Sequence, residues 1–137
     1  MESKQNKRSW ELYGKNDATP GNLTTTPQSE IQLQAILFQW CWNTYPQTRR
    51  LLFHVPNGGK RGKIEAMQLK ASGVIAGIPD LIFIWDGKVH AFELKTATGI
   101  LSDSQKEVHA IWKNNMVTVN IIRTLLEFQN IINSIIK

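Results

Sequence analysis

A single cysteine, Cys41, occurs in the 137 residues, so no intrachain disulfide can form and a reducing compartment is compatible. Trp40 and Trp42 flank that thiol in an apolar run, where it reads as buried packing rather than chemistry. Long apolar runs are missing too, and none reaches the length a membrane span requires. The opening residues MESKQNKRSW lack the apolar core of a secretory signal, so the expected location is cytoplasmic. No GxxxxGK[ST] pattern is present, which excludes a Walker A loop. Histidine is scarce. With three in the chain, His54-x-x-Asn57 has no partner histidines with which to form a histidine-dependent metal nuclease. No internal repeat or low-complexity tract occurs. Negative charge is the minority: 11 Asp and Glu stand against 16 Lys and Arg, and the net charge of +5 points to a polyanionic partner.

The residues that are present describe one globular domain, 42% hydrophobic and long enough to bury roughly two thirds of its unfolded surface. Residues 1–25 read as a basic polar arm, either disordered or ordered on a partner, with Trp10, Leu12 and Tyr13 too few to form a core. Residues 26–137 form the domain. Thr26-Pro27 predicts a helix start, with Ile31, Ala35, Phe38 and Trp42 on one inward face and Leu33, Leu37 and Trp40 widening it. Glu30 falls in its first turn, where an acid complements the helix dipole. Arg49–Val55 predicts a strand, stopped by Pro56. The loop NGGKRGK follows, and its glycines and cations (Lys60, Arg61, Lys63, beside Asn57) suit close approach to phosphates, although a solvated turn has the same composition. Residues 63–72 predict a short helix with Ile64, Met67 and Ala71 inward and Gly73 as its stop. Ser102-x-x-Gln105 and Thr124-x-x-Glu127 are capping boxes opening two further helices. Between them, Asn114-Asn115 breaks the first, Val108, Ile111 and Trp112 face inward, and residues 116–122 alternate as a strand. The last helix carries more apolar surface than one stripe, to be absorbed by the core or by a dimer contact.

The most informative stretch is GIPDLIFIWDGKVHAFELK, residues 77–95. Asp86-Gly87 between two apolar runs signals a two-residue type I′ hairpin. That turn sets Trp85 opposite Lys88 and Asp80 opposite Glu93, with Cβ atoms roughly 5 Å apart across the pair. Lys95, two residues further on, projects from the same face. Ile82, Ile84, Val89 and Ala91 share the carboxylate face, and Leu81, Phe83 and Phe92 line the other, so both sides are expected to be buried. Adjacent carboxylates repel unless a cation lies between them. Mg²⁺ or Mn²⁺ could supply that charge, and a metal, two carboxylates and an ammonium suit phosphodiester hydrolysis. A strand-end carboxylate beside a surface Glu–Lys pair is the alternative reading of the same residues.

Pro79-Asp80 with Glu93-Leu94-Lys95 resembles the signature of the PD-(D/E)XK nucleases. PNGGKRG, LKASGVIAGIPDLIF and AFELKTATGILSDSQ, in that order over roughly residues 30 to 120, resemble the VRR-NUC branch of that superfamily. The resemblance implies an α/β, restriction-endonuclease-like fold, a mixed β-sheet flanked by helices in the order α-β-α-β-β-α-β-α. It implies a metal-dependent DNA endonuclease in which Glu30, Asp80, Glu93, Lys95 and Gln105 are catalytic. Asp80, Glu93, Glu30 and the Leu94 backbone carbonyl would hold Mg²⁺ or Mn²⁺, and Asn57, Lys60, Arg61 and Lys63 would contact DNA. Related nucleases often carry Q-x-x-x-Y where this chain has Gln105-x-x-x-His109. Compact members of the family resemble homodimeric enzymes acting on branched DNA such as four-way junctions. Nicking, flap or restriction-like cleavage, or a non-catalytic nucleic-acid-binding module, are the alternatives.

Overall fold

The computed structural model describes residue 27 and residues 29–56 and 61–137. The arm assigned to residues 1–25, the cap assigned to Thr26, and Asn57 and Lys60 of the basic loop lie outside the described residues. The order is α1 (Glu30–Thr44), β1 (Leu52–His54), α2 (Lys63–Ala71), β2 (Leu81–Trp85), β3 (Lys88–Leu94), α3 (Asp103–Asn114), β4 (Val119–Ile122) and α4 (Leu125–Ile136). The strands form one sheet in the order β1-β2-β3-β4. β1–β2 and β2–β3 are antiparallel and β3–β4 is parallel, which makes the sheet mixed.

The hairpin follows from its turn. Asp86 and Gly87 both adopt positive φ, 49° and 72°, as a type I′ turn requires. Trp85 consequently faces Lys88, and Leu81 faces Phe92. Because side chains alternate along a strand, Leu81, Phe83, Phe92 and Leu94 take one face, and this face holds the core. Leu33, Leu37 and Cys41 of α1 and Phe128 and Ile132 of α4 join them, all buried. Phe128 is the centre of this layer. It meets Phe92 edge-on at 5.0 Å and Trp40 at 5.9 Å, pairings worth about 0.5–1.5 kcal/mol each beyond burial. The opposite face receives α3, whose first turn lies over Gly77. A Cβ at Gly77 would come within 2.4 Å of the Ser104 carbonyl oxygen, so only glycine lets the two backbones approach.

Several expectations are corrected. α1 begins at Glu30, not at Pro27, because the Ser29 hydroxyl accepts from the Gln32 N–H and so caps the helix. Its buried stripe is Leu33, Leu37 and Cys41, and Ile31 is 79% exposed. A helix apolar on most sides carries no marked inward face, and the sheet selects one. β1 is shorter than residues 49–55 because Arg50, at φ 70°, bends the chain just before it. α2 buries no residue: Ile64 is 75% and Met67 70% exposed. Ile111 is exposed, while Val108 is buried. The hairpin is covered on both sides only at its base, since Ile84 and Val89 near the turn are exposed. β4 starts at Val119 rather than Met116, which takes φ 69°, and its buried residue is Ile122. α4 is absorbed by the core: Phe128 and Ile132 are buried, and Leu125, Ile131, Ile135 and Ile136 pack against them. The capping box forms in full at Ser102, whereas at Thr124 only the hydroxyl half forms, the Glu127 carboxylate accepting from the Arg123 N–H instead. The Ser102 hydroxyl accepts from the Gln105 N–H while the Gln105 side chain accepts from the Ser102 N–H. The Thr124 hydroxyl accepts from the Glu127 N–H.

Candidate active site

Asp80 ends the approach to β2 and is gripped from two strands. Its backbone carbonyl accepts from the Val55 N–H at 3.1 Å and contacts His54 Nδ1 at 2.7 Å. Its carboxylate Oδ2 accepts from the Leu94 N–H at 2.7 Å. The edge strand β1 and the central strand β3 thus hold one acid at the sheet end. The hairpin register carries Glu93 to the same place, and Glu93 is 1% exposed.

A carboxylate so deeply buried cannot ionise cheaply. Burial first, then the negative charge of Asp80, pushes the Glu93 carboxyl up to about 8. Glu30 adds to that push, while Lys95 and the Gln105 amide oppose it. The Gln105 amide donates to Glu93 Oε1, and His109 Nε2 lies 3.4 Å from Oε2. One helical turn separates Gln105 from His109, so a single face of α3 engages both oxygens. Burial and the neighbouring Lys95 ammonium lower the His109 pKa, although Asp80 opposes them, so the imidazole favours its neutral form. Lys95 is itself buried, at 7% exposure, and its Nζ sits 3.7 Å from Glu30 Oε1. Glu30, half exposed, reaches the site from the first residue of α1.

Asp80, Glu93, Lys95, Glu30 and Gln105 therefore converge on one sheet end. At Leu94 the structure places the N–H, rather than the carbonyl, on Asp80. Arg61 pairs with Glu65 at 3.4 Å, and Lys63 opens α2 exposed to solvent. Three contributors escaped the sequence reading. Motif spacing did not assign His54 to the Asp80 backbone or His109 to Glu93, although the i, i+4 relation to Gln105 hinted at the latter. Arg123 had no local signal at all. It donates from one guanidinium nitrogen to the carbonyls of Thr96 at 2.7 Å, Gly99 at 2.8 Å and Ala97 at 3.4 Å, just past Lys95.

The donor set fits a hard divalent cation. Asp80 and Glu93 face each other across the hairpin register, and the burial of Glu93 together with its repulsion by Asp80, the two largest causes of its raised pKa, is what a cation would relieve. Among the described residues no group of three or more His, Cys, Asp or Glu side chains is placed to hold a metal ion, so the pair would have to be completed by other ligands. Two carboxylates with water completing the coordination is the arrangement Mg²⁺ favours.

No family profile matches the sequence, and a comparison with curated proteins finds no match. Among solved structures, one described as a VRR_NUC domain protein superposes with a TM-score of 0.60 at 19% identity. The match covers 82% of this chain and 91% of that one. The polypeptide that brings Asp80, Glu93 and Lys95 together has the VRR-NUC fold.

Proposed function

We propose that this protein is a divalent-metal-dependent endonuclease that hydrolyses DNA phosphodiester bonds, with branched DNA such as four-way junctions as its substrate. The observation that carries the reading is Glu93, a buried carboxylate held against Asp80, with the buried Lys95 ammonium nearby. A binding module gains nothing from burying acids that repel phosphate, whereas a hydrolase needs them.

Asp80, Glu93 and the Leu94 carbonyl would hold Mg²⁺ or Mn²⁺, with Glu30 at the margin, and the ion when bound supplies Lewis-acid stabilisation of the phosphate. Gln105 and His109 fix the Glu93 oxygens so that neither rotates away from the pair. The Lys95 ammonium has donors and no lone pair, so its role is toward the scissile phosphate or the attacking water. Burial keeps that charge oriented and strengthens its field. A gel assay on linear, nicked, flapped and four-way DNA, with and without Mg²⁺ or Mn²⁺, tests the reading. Metal-dependent cutting of the branched substrate ahead of the linear one is the expected pattern. Binding without cleavage of any shape would leave a non-catalytic module.

Phosphate contacts are assigned to Lys60, Arg61 and Lys63, with Asn57 beside them. Replacing the three cations by alanine is expected to weaken duplex binding and to flatten its salt dependence by about 0.9 in the log–log slope per lost contact. Titrations at three or more salt concentrations measure this directly. An unchanged slope would make the loop a solvated turn.

A two-fold homodimer would present two sites to two strands. With Phe128 and Ile132 of α4 buried in the core, one exposed apolar surface among the described residues that would support such a contact is α2, through Ile64 and Met67. Light scattering at micromolar concentration should give twice the chain mass, and Met67→Glu should halve it. A monomer with and without DNA removes the dimer.

A further inference from the structure

Lys95 follows Leu94, the last residue of β3, and its N–H is its tie to the neighbouring strand. That N–H donates to the Ile122 carbonyl at 3.0 Å. The next residue, Arg123, turns its guanidinium onto the connection that follows Lys95, donating to the carbonyls of Thr96, Ala97 and Gly99. The Gly99 N–H closes the same turn on the Thr96 carbonyl at 3.1 Å. This turn lies against the lysine. A methyl group added at Gly99 would come 3.4 Å from Lys95 Cδ, a van der Waals contact with the lysine stem, and a tighter 3.2 Å from Thr96 Oγ1. Among the described residues Arg123 makes no ion pair, and carbonyl dipoles alone satisfy its charge. A planar, permanently charged fork can gather several carbonyls at once, which a lysine ammonium does less well.

We propose that Arg123 is a positioning residue for Lys95: by clamping residues 96–99 it presses the turn onto the lysine stem and keeps the ammonium directed at the carboxylates. Its role in cleavage rests on the endonuclease reading, while its role in holding Lys95 does not. Lys95 is 7% exposed and the turn lies beside its stem, so opening the turn is expected to raise the exposure of the amine. A misplaced reacting group costs rate rather than affinity, because the DNA contacts proposed above are assigned to other residues.

The experiment compares native protein with Arg123→Ala and Arg123→Lys, each shown to be folded by circular dichroism at the assay temperature. Brief acylation with acetic anhydride, followed by peptide mass spectrometry, reads the reactivity of Lys95 against that of the exposed Lys106 in the same molecule. Arg123→Ala is expected to raise the Lys95:Lys106 ratio by about tenfold or more, in keeping with the loss of a shielding turn, and Arg123→Lys to restore it only in part. Single-turnover cleavage of four-way DNA in Mg²⁺ should fall by about a hundredfold in Arg123→Ala, with DNA affinity unchanged within about twofold. If Arg123→Ala does not fold, Gly99→Val, which wedges the turn away from Lys95, takes its place with the same readouts. A Lys95:Lys106 ratio equal to native in a folded variant overturns the proposal, even if the melting temperature has dropped. Native protein that cuts nothing would defeat the endonuclease reading, and the acylation ratio would still decide the role of Arg123.

Discussion

The Asp80→Asn protein is expected to bind branched and duplex DNA at least as tightly as the native chain while its cleavage rate in Mg²⁺ falls by about 10²- to 10³-fold or more. Both halves have one cause. The carboxylate that would recruit the cation also repels phosphate, and an amide of the same shape removes both effects together. Oδ1 of the asparagine can still accept from the Leu94 N–H, the bond Asp80 makes at 2.7 Å, so the fold at the sheet end is preserved. Lys95→Ala should abolish cleavage as well, yet leave metal affinity largely intact, because an ammonium is not a ligand. Ca²⁺ should support binding with little turnover, its coordination being longer and more flexible. Filter binding and single-turnover gels on the same DNA provide the test. Cleavage by Asp80→Asn at the native rate would make the hairpin carboxylates structural and end the nuclease reading.

Glu93→Gln is expected to make the metal-free protein more stable at pH 9 and to remove most of its stability loss between pH 7 and 9. In the folded chain Glu93 titrates at about 8, against 4.5 for an ordinary glutamate. Between those values the folded state holds a proton that the unfolded state has lost. The associated stability is therefore complete below about 4.5 and disappears as the pH rises through 8, at up to about 1.4 kcal/mol per pH unit. Glutamine keeps the shape and an acceptor for Gln105, and it has no charge to bury. His90 and His109 are lowered from 6.5 and act below pH 7, and Cys41 is raised from 9.0 and acts mostly above pH 9, so Glu93 dominates the interval from pH 7 to 9. Saturating Mg²⁺ should restore the native protein at pH 9 and do little for the variant, because only the native site has two carboxylates to share the ion. Urea melts at pH 7, 8 and 9, with and without Mg²⁺, measure each part. Parallel pH profiles for the two proteins would mean that the burial of Glu93 is relieved by something other than its proton.

How much of this was legible in the sequence depends on the range over which each decision is made. Asp86-Gly87 set the hairpin register by local backbone geometry alone, and so carried Asp80, Glu93 and Lys95 to one sheet end before any packing was known. The caps at Ser102 and Thr124 were equally local, since each needs only its own hydroxyl and the N–H three residues on. At the start of α1 the Thr26-Pro27 signal pointed to the wrong residue, since the Ser29 hydroxyl caps the helix. The inward face of α1 could not be read because the helix is apolar on most sides, and α2 looked inward-facing although it buries none of its residues against the described ones. The rest of the site belonged to the tertiary structure. That α3 lays Gln105 and His109 on Glu93 depends on Gly77 letting the Ser104 backbone approach, and that Arg123 clamps the turn after Lys95 depends on β4 pairing parallel to β3. A turn or a cap is settled within a few residues by dihedral angles and one hydrogen bond. Contacts between residues 12 to 27 positions apart arise only when burial against a common sheet makes bringing them together worth the loss of chain entropy.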